Sequence, residues 1–253
     1  MIDKPLLILQ ARTGSTRLPK KMVRPFYQNK TIPQIIIENL LKHFDSNRIV
    51  LATSTNKGDD ELEKLCSEIG ISCFRGSENN VLKRFIDCAI QYKGNRLVRI
   101  CADNPFLLPE FILELTKELD VSGKEYISFQ WKDLTPVMLS HIGVFAEAMT
   151  LNFLKKIQNS TEDPLYLEHV TNYIYTHKNE FDHKFLNLPQ ILEGRENIRL
   201  TVDTESDFNT TQELYSKMME KKSDFELMDL LELIDENPVL IDNMEAQIDQ
   251  NAK

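Results

Sequence analysis

The chain has 253 residues, of which 42% are hydrophobic and 27% charged, and its formal net charge is −9 at pH 7. This is the composition of a globular protein with a substantial core, and its apolar runs are far shorter than the roughly 18 residues of a membrane helix. The acidic balance argues against nonspecific nucleic-acid binding, which draws on a broad basic face. The first residues lack a secretory signal pattern, and the four cysteines form no CxxC pair. We therefore expect a cytoplasmic protein with reduced thiols and no membrane partner.

The first half of the chain alternates short apolar runs with amphipathic segments. The apolar runs predict strands at LLILQA, RIVLATS, ISCFRG and RLVRICAD. The segments between and after them predict helices at TIPQIIIENLLKHF, DDELEKLCSEIG, NNVLKRFIDCAIQY and LPEFILELTKEL. Strands that alternate with helices in this way predict an α/β fold, with a mostly parallel sheet covered by helices on both faces.

The alternation changes after about residue 122. EYISFQW and VMLSHIGVFAEA predict strands with no helix between them, so we expect a mixed sheet. The remaining segments predict helices at AMTLNFLKKIQ, DPLYLEHVTNYIYTHKNEF, ESDFNTTQELYSKMMEKK and FELMDLLELIDENP, and strands at HKFLNLP and NIRLTVDT. We predict one domain over residues 1–240, within which 123–185 is a distinct subregion. Residues 241–253 have no periodicity and predict a frayed tail.

A basic loop follows the first predicted strand. Five of the thirty Lys and Arg residues lie within residues 12–24, in a protein that is acidic as a whole. In open α/β sheets the loop after a parallel strand is where ligands bind. Gly14 and Ser15 allow a tight turn there, and Arg12, Arg17 and Lys21 can act as charge-assisted donors. The loop therefore predicts a site for a triphosphate or pyrophosphate.

Two common phosphate-binding motifs are absent from this loop. The P-loop pattern needs a second glycine before the lysine and a Ser or Thr after it, and the dinucleotide fingerprint needs more than the single Gly14. The sequence thus disfavours a P-loop kinase and a Rossmann dehydrogenase.

Five stretches resemble a known family in the same order along the chain. QARTGSTRLPKKM is similar to the amino-terminal signature of sugar-activating cytidylyltransferases of the spore coat polysaccharide biosynthesis protein F type, which are related to CMP-Kdo and CMP-sialic acid synthetases. FRGSENNVLKRFIDCA, VRICADNPFLLPE, EHVTNYIY and IRLTVDTESDF resemble further motifs of that group. The resemblance covers about residues 5–240. It implies the fold of nucleotide-diphospho-sugar transferases, which is of the GT-A type.

The resemblance also implies roles for particular residues. It places the catalytic groups Arg12 and Lys21 on the triphosphate, and it makes Lys20 a surface residue. It adds the nucleotide-binding residues Gly14, Ser15, Arg17 and Arg75, and Asp103 and Asp203 as ligands of a Mg²⁺ ion. Each aspartate follows a predicted strand, and parallel strand ends converge on one edge, where a Mg²⁺ could bridge carboxylates and phosphate. Asp207 fits the first turn of a helix better than a metal site.

Four further positions have less definite roles. Ser77 and Arg99, like Arg75, are candidates for the ribose, base or acceptor side of the pocket. His169 lies on a predicted helix, where a single histidine more often packs or makes a hydrogen bond than binds a ligand. Asn104 stands where relatives commonly have cysteine in a Gly-Asp-Cys-Pro pattern. The stretch LATST lacks the aspartate pair that Kdo-type enzymes carry, which argues against Kdo as the acceptor.

These inferences predict a Mg²⁺-dependent nucleotidyltransferase that uses CTP. It would transfer CMP to a sugar acid or related acceptor, release pyrophosphate, and serve surface polysaccharide precursor synthesis. By analogy with the relatives, residues 123–185 are candidates for serving the acceptor or for the contact of a homodimer. No residue marks a general base or the identity of the acceptor. Two alternatives remain open: a GT-A-type glycosyltransferase that uses a nucleotide sugar, and a pathway scaffold without turnover. The first would normally carry an Asp-x-Asp motif at a strand end, and the second would not need both aspartates.

Overall fold

A computed structural model describes residues 4–250 and contains a seven-stranded sheet. The strands are β1 (Leu6–Gln10), β2 (Ile49–Ser54), β3 (Ser72–Gly76), β4 (Arg96–Cys101), β5 (Tyr126–Gln130), β6 (Glu147–Thr150) and β7 (His183–Asn187). Their spatial order is β3-β2-β1-β4-β6-β5-β7. All neighbouring pairs are parallel except those of β6, which runs antiparallel to β4 and β5. The predicted mostly parallel mixed sheet is confirmed.

Ten α-helices accompany these strands in the part of the chain that the structure describes. They are α1 (Ile32–Leu41), α2 (Asp60–Ile69), α3 (Val81–Gln91), α4 (Pro109–Ser122), α5 (Leu151–Ser160), α6 (Pro164–Glu168), α7 (Asn172–Thr176), α8 (Glu205–Lys221), α9 (Leu227–Asp235) and α10 (Pro238–Gln250).

The helices divide between the two faces of the sheet. Side chains alternate across a strand, so in β1 Leu7 and Leu9 belong to one apolar cluster, and Leu6 and Ile8 to the other. The first cluster is completed by α1, α2, α4 and α8 to α10, and the second by α3, α5 and α7. This double coverage leaves the carboxyl ends of the parallel strands as the place where a ligand can reach the sheet.

Two predicted strands are shorter or absent. Of VMLSHIGVFAEA only the end forms β6, because residues 137–139 turn into a 3-10 helix. NIRLTVDT is extended but is not a sheet strand. Its backbone bonds go to two separate segments: Val202 N–H donates to the Asp103 carbonyl (2.9 Å), and the N–H groups of Leu200 (2.9 Å) and Thr201 (3.2 Å) both donate to the His141 carbonyl. Asp203 therefore follows an extended crossing segment rather than a strand.

The predicted helices also differ in two places. DPLYLEHVTNYIYTHKNEF forms two five-residue helices, α6 and α7, with a break between them. The expected frayed tail is corrected up to residue 250, since α10 runs from Pro238 to Gln250 and buries Leu240 and Met244. Pro238 begins a helix rather than ending one, because the first turn needs no proline N–H. Residues 251–253 lie outside the described part.

No helix among residues 4–250 is long and apolar enough to cross a membrane.

Candidate active site

A cavity of about 610 Å³ opens at the carboxyl ends of β1 and β4. Its walls come from the loop after β1, the residues after β4, and three segments from the second half of the chain, 137–145, 168–175 and 201–203. Seven of the predicted site residues line it: Arg12, Gly14, Ser15, Arg17, Lys21, Asp103 and Asp203. The fold thus brings together residues that are up to 191 positions apart in the sequence.

Lys21 lies at the centre of this group. The side chain is 7% exposed, and Nζ donates a hydrogen bond to the carbonyl of Val202 at 2.6 Å. Nζ also lies 3.3 Å from Asp103 Oδ2 and 3.5 Å from Asp203 Oδ1. The neighbouring Lys20 has φ of 61° and is exposed. The two lysines therefore point to different environments, as the family resemblance implied.

Asp103 and Asp203 come close enough to share one cation. Both carboxylates lie within 3.5 Å of the single Lys21 ammonium. Among residues 4–250 no group of three or more His, Cys, Asp or Glu side chains is arranged for a metal ion. Two carboxylates are nonetheless a suitable donor set for Mg²⁺, which prefers oxygen ligands and keeps several waters. The residues present fit a Mg²⁺ ion whose remaining ligands are water and phosphate oxygens.

A buried ion pair between Arg199 and Asp207 holds the backbone of Asp203. Arg199 is 1% exposed, and its Nε and Nη2 donate to the two oxygens of Asp207 at 2.6 and 2.8 Å. Asp207 also accepts the N–H groups of Asp203 (3.0 Å) and Thr204 (2.9 Å), which closes the capping box of α8. Burial would raise the pKa of Asp207, but the Arg199 bonds and these N–H groups outweigh burial and lower it. The first-turn position predicted for Asp207 is confirmed.

Arg12 and Arg17 of the loop are held by acidic partners. Arg12 Nη2 donates to Glu168 Oε1 at 2.7 Å, and Arg17 Nη2 lies 3.1 Å from Asp203 Oδ1. Arg12 and Glu168 are both partly exposed and both line the cavity. An incoming polyphosphate would therefore have to replace carboxylates as the partner of these guanidinium groups. Sequence reasoning missed Glu168, although it belongs to the EHVTNYIY motif.

Asp59 fastens the same loop to the sheet. It is 1% exposed and accepts the N–H and hydroxyl of Thr13, both at 2.7 Å, and the N–H of Ser54 at 3.1 Å. Burial would raise its pKa, but the hydrogen bonds from Ser54 and Thr13 outweigh it and lower the pKa. The sequence showed Asp59 only as an acidic residue near a helix start, so nothing in the pattern indicated its contact with the loop.

Arg75, which was predicted to bind the nucleotide, does not line the cavity. It pairs with Asp60 (2.6 Å) and Glu63 (2.9 Å), and it donates to the carbonyls of Ser54 (3.0 Å) and Asn56 (2.7 Å). The bonds to the Asp60 carboxylate and then to the Glu63 carboxylate raise the pKa of Arg75. Its donors are used within the protein, so we assign Arg75 a structural role.

Ser77 has a structural role as well. Its hydroxyl accepts the N–H of Asn80 at 3.1 Å before α3, and its carbonyl accepts Arg84 Nη1 at 2.7 Å. Arg84 is fully buried, and burial lowers its pKa to about 10. Neither Ser77 nor Arg84 lines the cavity.

Arg99 and His169 also line the cavity. Arg99 pairs with the fully buried Glu147 at 2.8 Å. His169 follows the last residue of α6 and is exposed, so the packing role expected for it is not what the structure has.

The chain is similar to known proteins over almost its whole length. A family model described as cytidylyltransferase matches residues 6–232. The chain is 35% identical to the spore coat polysaccharide biosynthesis protein SpsF of Bacillus subtilis over 246 residues, which is 95% of this chain and 98% of that protein. It is 34% identical to an uncharacterized protein of Methanocaldococcus jannaschii over 245 residues, 97% of this chain and 96% of that one.

Solved structures share the fold. The structure of a cytidylyltransferase from Leptospira borgpetersenii is similar with a TM-score of 0.83 and 29% identity, covering 94% of this chain and 96% of that one. The structure of CMP:2-keto-3-deoxy-manno-octonic acid synthetase complexed with CTP is similar with a TM-score of 0.64 and 13% identity, covering 85% of this chain and 99% of that one. At that identity the second likeness concerns the fold alone.

Proposed function

This chain belongs to the cytidylyltransferase family, and from that premise we propose that it transfers CMP from CTP to a sugar acid or related acceptor, with Mg²⁺ and with release of pyrophosphate. One observation carries the proposal. Lys21, Arg12 and Arg17 line the same cavity as the Asp103 and Asp203 pair, at the carboxyl edge of the parallel sheet. The name of the Bacillus relative adds surface polysaccharide precursor synthesis as the setting.

The reaction requires charge neutralisation at the phosphates. An acceptor oxygen forms a bond to the α-phosphorus while the bond from that phosphorus to the bridging oxygen breaks, and pyrophosphate leaves with that electron pair. Charge develops on the leaving group, and fixed donors aimed at it lower the barrier. Arg12 and Arg17 suit the outer phosphates because they are partly exposed at the mouth of the cavity, whereas Lys21 suits the reacting phosphate because it is buried.

Asp103 and Asp203 would hold the metal ion. When bound, Mg²⁺ would supply Lewis-acid stabilisation of the phosphate oxygens. The protein's own part is to keep the two carboxylates together and to orient Asp203 through the Arg199–Asp207 pair. Lys21 occupies the space between the carboxylates and has to give up part of its contact with them as phosphate arrives.

Calorimetric titration of CTP, UTP, GTP and ATP, with and without Mg²⁺, tests the proposal. We expect CTP to bind most tightly and to require Mg²⁺. Lys21→Met should weaken CTP binding by at least about tenfold, or 1.4 kcal/mol, because a buried charge contact to phosphate is lost. Lys20→Met removes the same charge from the adjacent exposed position and should change affinity less than twofold. Binding of nucleotide sugars without binding of CTP would instead support a glycosyltransferase.

A further inference from the structure

A short segment that begins at His141 bonds to both of the chain segments that carry the cavity's aspartates. The carbonyl of His141 accepts the N–H groups of Leu200 (2.9 Å) and Thr201 (3.2 Å), just before the second aspartate. The carbonyl of Val144 accepts the N–H of Leu108 at 3.1 Å, at the end of the turn that follows the first aspartate. The backbone of this segment therefore helps to determine how the two aspartates lie relative to each other.

Gly143 brings the segment into close contact with the backbone that precedes Asp203. It has φ of 65°, and a β-carbon there would lie 2.9 Å from the Leu200 carbonyl carbon and 3.0 Å from the Thr201 nitrogen. Glycine alone combines this backbone conformation with so close an approach. Backbone packs directly on backbone at this point, so a side chain that bridges the two segments is held in a well-defined place.

The imidazole of His141 is such a bridge, because it bonds to the guanidinium of Arg199. His141 is 7% exposed, and its Nδ1 bonds to Arg199 Nη1. A guanidinium has donors and no acceptor, so Nδ1 is the acceptor and the ring is neutral, with its proton on Nε2. His141 does not line the cavity, although its neighbours Ser140 and Ile142 do. Its effect on a ligand must therefore pass through Arg199.

Arg199 extends this constraint to Asp203 in two ways. Its Nη2 lies 3.4 Å from Asp203 Oδ2, and the Asp207 carboxylate that it binds accepts the Asp203 N–H at 3.0 Å. A planar guanidinium that is bonded to Asp207 on one side and to His141 on another has a fixed orientation. Loss of the Nδ1 acceptor would release one of these sides, and both Arg199 and the Asp203 carboxylate could then turn.

We propose that His141 is a positioning residue for the metal ion, which acts through Arg199 to keep the Asp203 carboxylate in the orientation that Mg²⁺ requires. The inference rests on the proposed function, because the metal ion belongs to that reaction. Mg²⁺ demands near-ideal octahedral geometry, so a carboxylate that has turned binds it poorly. His141 therefore contributes to nucleotide binding only when the metal is present.

The test measures the affinity of CTP for the full chain with Mg²⁺ and with EDTA in its place. Calorimetry serves the first condition, and saturation-transfer NMR serves the weaker binding expected in the second. His141→Leu and His141→Phe both remove Nδ1, and the second keeps the ring. His141→Asn is the conservative variant, because its amide oxygen can take the place of Nδ1. His183→Leu is the matched control, since His183 Nδ1 bonds to the Phe181 carbonyl at 3.0 Å and His183 does not line the cavity.

We expect the Leu and Phe variants of His141 to bind CTP at least about tenfold more weakly than the wild type with Mg²⁺, and within twofold of the wild type in EDTA. His141→Asn and His183→Leu should stay within about threefold of the wild type in both conditions. Equal losses with Mg²⁺ and EDTA, an unchanged affinity with Mg²⁺, no recovery in the Asn variant, or failure of both the Leu and the Phe variant to fold would overturn the inference.

The wild type separates this inference from the proposed function. A wild type that binds no CTP with Mg²⁺ refutes the proposed function itself. A wild type whose CTP binding depends on Mg²⁺, and whose His141 variants keep that dependence, refutes only the role of His141. CTP binding that is equally strong with Mg²⁺ and with EDTA overturns the role of His141 and removes the metal ion from the proposed reaction.

Discussion

Arg12 and Glu168 form the contact at which the loop after β1 meets the segment that closes the other side of the cavity. The two side chains are 156 positions apart in sequence and lie 2.7 Å from each other. Both are partly exposed, so this ion pair contributes about 0–1 kcal/mol to stability. The ion pair matters for ligand binding, because the Glu168 carboxylate would compete with a triphosphate for the donors of Arg12.

Glu168→Gln is therefore expected to tighten CTP binding. The amide removes the competing charge, and the gain should be about 0.5–1 kcal/mol, or roughly two- to fivefold in affinity. Calorimetry of CTP with Mg²⁺ measures it. Glu205→Gln is the matched control, because Glu205 pairs with Arg24 at the same 2.7 Å distance and neither residue lines the cavity. Weaker binding by the Glu168 variant would show that Glu168 assists the nucleotide instead of competing with it.

Among the elements, the loop after β1 depends on a contact with the residue before α2. Asp59 receives two bonds from Thr13 and is also bonded to Ser54 at the end of β2. One buried carboxylate, directly before α2, thereby holds the loop after β1 against the end of β2. Asp59, 46 positions after Thr13, thus fixes Thr13 and with it the neighbouring Arg12.

Asp59→Asn should destabilise the protein by about 1–3 kcal/mol at pH 7, because an acceptor-only group is replaced by one that cannot satisfy all its donors. The sign of the pH effect follows from the lowered pKa of Asp59. Its ionised form stabilises the fold at pH values above the ordinary aspartate pKa, and this contribution is lost as the pH falls through the lowered folded value. Denaturant unfolding of both proteins from pH 7 to pH 3 should show the difference narrowing below about pH 4.

Asp60→Asn is the control for that experiment. Asp60 is the next residue along the chain, is exposed and pairs with Arg75. We expect a loss below about 1 kcal/mol and no effect on the loop. CTP affinity should fall in the Asp59 variant and stay unchanged in the Asp60 variant, whereas equal CTP affinity in both would show that Asp59 does not position the loop.

For the molecule as a whole, α10 belongs to the structure around the site. Leu240 and Met244 are buried against the core, and α10 packs on α8. Thr204, the residue after Asp203, donates its hydroxyl to Gln247 Oε1 at 2.9 Å. The last helix therefore contacts the turn that carries the proposed metal ligand.

Met244→Ala should cost about 2–4 kcal/mol of stability, because it removes a buried side chain and leaves a cavity. Thermal and denaturant unfolding measure this loss. Val239→Ala on the same helix is the control, since Val239 is 69% exposed and its removal should cost under about 0.5 kcal/mol. Near-equal stability of the two variants would mean that α10 does not pack on the core in solution.

Local patterns in the sequence were sufficient for most of the fold and for the centre of the proposed site. Buried parallel strands are continuous apolar runs, so β1 to β4 and their helices were predicted with the correct order. The basic loop was visible because its charges are adjacent in the chain. The sequence pattern was misleading at NIRLTVDT, which forms no sheet strand and bonds instead to the Asp103 and His141 carbonyls. It was misleading again at the tail, where a helix buries Leu240 and Met244.

Pairing across long distances was decided by the tertiary structure alone. Residues 12 and 168, 13 and 59, or 99 and 147 carry no mutual signal in one sequence, because the contact depends on how the strands are ordered in space. The same reason explains why the sequence could not place Arg75. An arginine suits a phosphate, but in the fold its guanidinium pairs with Asp60 and Glu63. The sequence by itself therefore determined the class of fold and the positive charge near a ligand edge, and folding decided which charges face the cavity and which carboxylates hold them.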